Sequence, residues 1–252
     1  MPSITLERVS VTIPIYNARS RALKSELLRR AVGANFTDEK DPGVVAVRAL
    51  DDVTLGINHG DRVALVGRNG SGKTTLLRVM SGIYPPTSGR VAIDGHISSL
   101  TDLSVGMDPE STGYENIILR GLILGMTRKQ AAAMVPDIEE FTELGEYLAL
   151  PIRTYSAGMH LRLAFAVSTA VNPDIIILDE MIGAGDAAFI EKAERRIERL
   201  IEKASIMVLA SHDEQLVRRL CPTAIWMHAG RMMAMGETSE VLGRYNASIQ
   251  MS

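Results

Sequence analysis

Eight consecutive residues, Gly67-Arg68-Asn69-Gly70-Ser71-Gly72-Lys73-Thr74, leave this chain little freedom in how it folds. A short apolar run, Val63-Ala64-Leu65-Val66, comes before them, and Thr75-Leu76-Leu77 opens a helical pattern behind them. An apolar run bounded by turn residues reads as a buried parallel strand. The glycines permit backbone conformations and close approaches that a Cβ would block. At such a turn the backbone N–H groups converge on phosphate oxygens, and the N-terminus of the following helix adds partial positive charge. The spacing G-x-x-x-x-G-K-[ST] is matched in full, in its strand–helix setting. Lys73 is thereby expected on the β- and γ-phosphates of a nucleotide, with the Thr74 hydroxyl on Mg²⁺. Gly67, Asn69, Gly70, Ser71, Gly72, Lys73, Thr74 and Thr75 form the expected nucleotide-binding set.

Two further motifs follow in order. Ile175-Ile176-Ile177-Leu178 is a second buried-strand run, and Asp179 and Glu180 close it. Carboxylates at the carboxyl end of such a strand lie where open α/β sheets hold ligands. Asp179 suits the metal, and Glu180, one residue on, suits polarising a water toward the γ-phosphate. Many phosphate-loop kinases manage without a glutamate there, so the pair favours hydrolysis. Between the two strands, Tyr155-Ser156-Ala157-Gly158-Met159 precedes a helical pattern over His160–Ala170. Ser156 reads as an N-cap on residue type alone.

The rest of the chain fits one α/β domain with insertions. Its 252 residues suffice for a full core. A formal charge of −3 does not suit wholesale nucleic-acid binding, and Cys221, as the single cysteine, can form no internal disulfide. No stretch approaches the roughly 20 apolar residues of a membrane span. The start, Met1-Pro2-Ser3-Ile4, lacks the pattern of a signal peptide. Residues 4–13 read as an edge strand that Pro14 ends, and a basic insertion at 17–43 follows it. Its helical stretch, Arg19–Arg30, reads equally as a solvated helix over the sheet or as a contact for anionic headgroups or a membrane partner. Strand patterns resume at Val44–Leu50 and Val53–Ile57, with a further strand at Arg90–Ile93. Residues 100–170 turn helical, with capping-box spacing at Thr127–Gln130. Glu191–Lys203 reads as a charged surface helix, Ile206–Ala210 as a buried strand, Ala224–Met235 as a hairpin around Ala229-Gly230, and Ser239–Ser248 as a closing helix.

In this order and spacing the motifs resemble the ATPase subunit of ABC transporters, whose signature is usually Leu-Ser-Gly-Gly-Gln. The variant Tyr155–Met159, with Arg162-Leu163-Ala164-Phe165 and Gly183-Ala184-Gly185-Asp186-Ala187-Ala188-Phe189, resembles the polysaccharide-exporting branch. Pro109-Glu110-Ser111-Thr112-Gly113-Tyr114-Glu115-Asn116-Ile117 echoes the same branch. The resemblance spans about residues 4 to 245. It implies a P-loop NTPase of the ABC type, with an antiparallel β part, a helical subdomain at about 100–170 and one ATPase domain over residues 1–252.

The same resemblance implies ATP and Mg²⁺ as cofactors and a head-to-tail dimer with two ATP molecules between subunits. Ser156 and Gly158 of one copy would meet the γ-phosphate held by Lys73 of the other. His212 matches the switch histidine, and Asp186 the aspartate of the loop at the dimer interface, a role compatible with capping the next helix. Asp102 stands where the family usually has a Gln near metal and water; Asp102 is shorter than Gln and charged. Tyr16 matches the aromatic on which adenine stacks, and also reads as an ordinary strand-end tyrosine. The implied partner is an integral membrane permease, expected in two copies. It would carry a lipid-linked glycan and hold this chain at the cytoplasmic face of the inner membrane. With the chain closing at Ser252, no C-terminal carbohydrate-binding domain is expected, which leaves substrate choice to the permease. A soluble ABC-type ATPase without a transport role is the alternative.

Overall fold

The computed structural model describes residues 1–16, 35–38, 44–101, 103, 105–179 and 187–250. The basic stretch Arg19–Arg30, Asp102, Glu180 and Asp186 lie outside the described residues. In chain order the elements are β1 (Ser3–Tyr16), β2 (Asn35–Asp38), β3 (Val44–Asn58), β4 (Arg62–Val66), α1 (Lys73–Met80), β5 (Ser88–Asp94) and β6 (Ile97–Ser99). Then come α2 (Gly113–Ile123), α3 (Arg128–Ala133), α4 (Val135–Thr142), two short 3₁₀ turns, α5 (Ala157–Thr169), β7 (Ile175–Asp179) and α6 (Ala187–Lys203). The chain continues through β8 (Ile206–Ala210), α7 (Glu214–Leu220), β9 (Thr223–His228), β10 (Arg231–Glu237) and α8 (Thr238–Gln250). These elements form two compact units: Met1–Gly95 with Leu178–Glu180 and Ser205–Ser252, and His96–Ile177 with Met181–Ala204.

The first unit holds an antiparallel sheet ordered β2-β3-β1-β5. β1 is therefore internal, and Pro14 does not end it. Pairing with β5 stops at Ser10, so among the described residues the strand at Pro14 is bordered by β3 alone, opposite Ala46. There the missing N–H of proline costs nothing on the open side. The two strand patterns at Val44–Leu50 and Val53–Ile57 are one strand, bent where Asp52 takes φ 55°. Asn35–Asp38, inside the insertion read at 17–43, pairs with β3 as β2. In the same unit β4 lies between β8 and β9, parallel to both. Val63, Ala64, Leu65 and the whole of Ile206–Ala210 are buried, which is why both runs are continuously apolar.

The second unit packs α2, α4 and α5 around Ile117, Ile138, Leu148, Ile152, Leu163 and Val167. Thr112 with Glu115, and Thr127 with Gln130, close reciprocal capping boxes at the starts of α2 and α3. Phe141, Phe165 and Phe189 stack edge-on or tilted with centroids 5.7–5.8 Å apart. Arg196 pairs with Asp137 and Lys192 with Glu143, tying α6 to the α4 end. β6, which is too short to read from sequence, runs parallel to β7.

Pro109–Ile117 serves as the scaffold for the segment that leads into α5. Ile152 N–H donates to Ser111 O at 3.0 Å, Arg153 N–H to Pro109 O at 3.0 Å, and Gly113 N–H to Leu150 O at 3.2 Å. The fully buried Asn116 side chain locks the near strand of this pairing. It accepts from Asp108 N–H at 2.8 Å and donates to the carbonyls of Asp108, Ser111 and Thr112 at 3.0, 3.1 and 2.9 Å. Asn116→Ala removes four hydrogen bonds to backbone groups of Asp108, Ser111 and Thr112, each worth about 0.5–1.5 kcal/mol net. Urea denaturation of that variant is expected to show a loss of roughly 3 kcal/mol; a loss below roughly 0.5 kcal/mol would contradict this reading.

Candidate nucleotide-binding site

The loop from Gly67 to Gly72 can close only because it carries no side chain where it meets other backbone. A Cβ on Gly67 would fall against the Met227 carbonyl oxygen of β9. One on Gly72 would lie 2.7 Å from Ala49 O of β3 and 3.2 Å from the Leu50 side chain, and Gly72 also sits at φ +103°. The β9–β10 turn completes the seat. Ala229 and Gly230 take φ 45° and 80°, and Gly230 N–H donates to Ser71 O at 2.9 Å. Gly230 O accepts from Asp51 N–H at 2.9 Å, so the turn bridges the loop to β3.

α1 begins directly on Gly72, with no side chain capping its first turn. Its leading N–H groups therefore remain available to an anion. The Lys73 ammonium is buried inside the loop, donating to Gly67 O at 2.6 Å and Arg68 O at 3.2 Å. Thr74, by contrast, is exposed. A cavity of about 580 Å³ opens over this seat. It is lined by Asn69, Gly70, Gly72, Lys73, Thr74 and Thr75 from the loop and helix, and by Asp179, His212, Val47–Ala49 and Ala229-Gly230 around them. Asp179 ends β7 and His212 follows β8. Hard oxygen donors on Thr74 and Asp179 facing one cavity suit a magnesium ion.

Of the expected residues, the cavity gathers Asn69, Gly70, Gly72, Lys73, Thr74 and Thr75 with Asp179 and His212, whereas Gly67 and Ser71 are not among its lining. Ser156 and Gly158 belong to the other unit and are not among its lining. Ser156 caps α5, accepting from Met159 N–H at 3.2 Å. Tyr16 ends β1 opposite Val44. Asp102, Glu180 and Asp186 fall outside the described residues. Sequence reasoning missed Val47, Arg48, Ala49 and Ala229 as cavity walls. The Ala229-Gly230 turn signal was visible, but its use as a seat for the loop depends on long-range pairing.

A larger cavity, about 680 Å³, lies in the second unit between α4 and α6. Three of its cations are already engaged: Arg196 with Asp137, Lys192 with Glu143 and Arg195 with Glu191. With no glycine loop in it, it does not compete as a nucleotide site.

A phosphate seat, a metal-suited carboxylate and a histidine on one cavity define a P-loop nucleotide hydrolase. Residues 50–183, more than half of the chain, match the family model described as "ABC transporter", and the chain belongs to that family as its ATP-binding, ATP-hydrolysing cassette. It is 48% identical over 221 residues to the O-antigen export system ATP-binding protein RfbE of Yersinia enterocolitica, covering 88% of this chain and 92% of that one. To the O-antigen export system ATP-binding protein RfbB of Myxococcus xanthus it is 43% identical over 229 residues; this is 91% of the chain but only 52% of RfbB. The fold matches that of the ATP-binding cassette MJ0796, solved as a dimer in a post-hydrolysis state with ADP and Pi. That match has a TM-score of 0.66 at 21% identity over 93% of this chain and 98% of the other.

Gly72→Ala places a Cβ against Ala49 O and strains a left-handed backbone, so the loop must shift. Isothermal titration with Mg-ATP is expected to show affinity reduced by at least about a hundredfold, equivalent to roughly 3 kcal/mol. Wild-type affinity in this variant would contradict the seat as described.

Proposed function

We propose that this chain is the motor of an exporter that moves a lipid-linked polysaccharide across the cytoplasmic membrane. The observation that carries the ATPase part is the convergence of Lys73, Thr74, Asp179 and His212 on one cavity. The substrate class rests on RfbE and RfbB, both described as ATP-binding proteins of O-antigen export systems. Those descriptions also speak against a soluble ATPase without a transport role. Both compact units act in this reading as one ATPase domain.

The α1 N-terminus and the Lys73 ammonium bind the phosphate chain and offset charge that develops as the γ-phosphate leaves. Thr74 and Asp179 would hold Mg²⁺, which supplies further neutralisation at the phosphate oxygens. Glu180 orients the attacking water in line, and His212 contacts the γ-phosphate. Asp102 stands in for the usual glutamine beside metal and water, and Tyr16 stacks on adenine.

Two copies pair head to tail, each offering Ser156 and Gly158 to the other's ATP, with Asp186 in the loop between them. Gly158 supports this arrangement. A Cβ there meets nothing closer than Ser156 Oγ at 3.9 Å, so no contact among the described residues requires glycine. Glycine inside a helix costs about 1 kcal/mol relative to alanine. In this reading, close approach of the partner copy accounts for its presence.

No helix among the described residues is long and apolar enough to cross a membrane, so movement of substrate falls to a permease. Leu119, Leu122 and Ile123 of α2, with Val105 nearby in sequence, leave apolar side chains exposed on the helical unit, as a docking face for that permease requires. The chain would then sit peripherally on the cytoplasmic face of the inner membrane, with two permease copies per ATPase pair. Its substrate reaches it through the permease and not as nucleic acid or free sugar.

Glu180→Gln is expected to bind Mg-ATP and dimerise by light scattering, while phosphate release falls by at least about a hundredfold. Undiminished turnover would remove Glu180 from its role. Purified from its host membrane, the wild-type protein is expected to bring an integral membrane subunit with it; recovery without one under mild detergent would contradict the transporter reading.

A further inference from the structure

The wall of the nucleotide cavity formed by β3 carries a charge that the motifs do not explain. Arg48 lines the cavity together with Gly72, Lys73 and Thr75. Its Nη1 donates to Asp51 Oδ1 at 3.1 Å. Asp51 is not Arg48's alone: Arg231 donates to its other oxygen through Nε at 2.7 Å and lies at 2.6 Å through Nη2. The pair with Arg231, first, and that with Arg48 hold the Asp51 carboxyl below the usual range, against the opposing effect of burial. Asp51 is therefore ionised, and one carboxylate serves two guanidinium groups. A net positive charge is left on this wall, and the nearer grip on Asp51 belongs to Arg231.

The donors of Arg48 are not exhausted. Its Nε is enclosed away from solvent and meets no acceptor among the described residues. A buried donor without a partner costs about 1–3 kcal/mol. Nε itself is closed to a ligand as it is to water, so any reach into the cavity belongs to the terminal nitrogens of a side chain that is 41% exposed. The cavity that Arg48 lines is the one built for a phosphate chain.

Position narrows the contact. β8 flanks β4 on one side and leads to His212; β9 flanks it on the other and leads to the Ala229-Gly230 turn. Gly230 in turn holds Asp51 through its carbonyl. Arg48 thus belongs to the wall opposite His212, away from the phosphate that is transferred.

We propose that Arg48 is a nucleotide-binding residue, its guanidinium held by Asp51 and donating to the non-transferred part of the phosphate chain. This rests on the ATPase reading above. Its consequence is that Arg48 holds ADP as firmly as ATP and acts on binding more than on turnover.

The test compares wild type, Arg48→Gln, Arg48→Lys and Lys73→Ala by titration with ATP and with ADP, alongside steady-state phosphate release. Arg48→Gln is expected to weaken ATP and ADP binding alike, on the order of tenfold, as for the loss of one charge-assisted hydrogen bond. KM should rise by a similar factor while kcat falls less than about twofold, and Arg48→Lys should recover part of the loss. Melting of each variant without nucleotide separates contact from folding: the nucleotide-free midpoint should hold while the nucleotide-induced shift shrinks. Unchanged ADP affinity in Arg48→Gln would overturn the proposal. So would a fall in the nucleotide-free midpoint that accounts for the whole effect. Failure of the wild type itself to bind ATP, or normal binding by Lys73→Ala, would instead overturn the ATPase reading on which the proposal stands.

Discussion

Backbone packed against backbone, with no Cβ between, is the constraint on which the site depends. Gly67 abuts a β9 carbonyl and Gly72 a β3 carbonyl, while the β9–β10 turn reaches across to hold Ser71. β3 and the β9–β10 hairpin, far apart in sequence, thereby fix the curvature of one short loop. The buried Lys73 ammonium and the uncapped start of α1 follow from that curvature, because both are aimed by it. Electrostatics then needs little more: a positive seat, with oxygen donors of Thr74 and Asp179 at the same cavity that would suit a magnesium ion.

The helical unit solves a different problem, which is to present a short exposed motif in a fixed attitude. Ser156 caps α5 with a single hydrogen bond, which alone would leave the segment before it free to swing. Strand-like pairing of residues 150–153 with 109–113 removes that freedom, and Asn116 anchors the pairing from within. Tyr155 contributes as well, donating its hydroxyl to Tyr147 O at 2.7 Å. Glycine at 113 makes room for that ring, since a Cβ there would collide with the Tyr155 hydroxyl. The departure from the usual signature leucine is thus matched by a small residue elsewhere.

Much of this is legible in the sequence. The β4–loop–α1 unit could be read because its chemistry is local: an apolar run, glycines at set intervals and a lysine at the helix start. Asp179 at the end of β7 and the Ser156 cap were readable for the same reason. What escaped depends on pairing across the chain. Arg48 becomes a cavity residue only when β3 lies against the loop, and nothing within several residues of it signals that. Pro14 was read as a strand end, yet β1 runs on because its neighbour stops first. β6, at three residues, is too short to leave a period.

The claim that links this chemistry to biology is that ATP turnover here drives a lipid-linked glycan outward. Depleting the protein in its host and analysing lipid-linked glycans on the cytoplasmic side tests it most directly. Accumulation of one long polymer there, relieved by the wild-type chain, is the predicted result, and its composition would identify the substrate. No accumulation, with the protein demonstrably depleted, would contradict the export function and leave an ABC motor with other work.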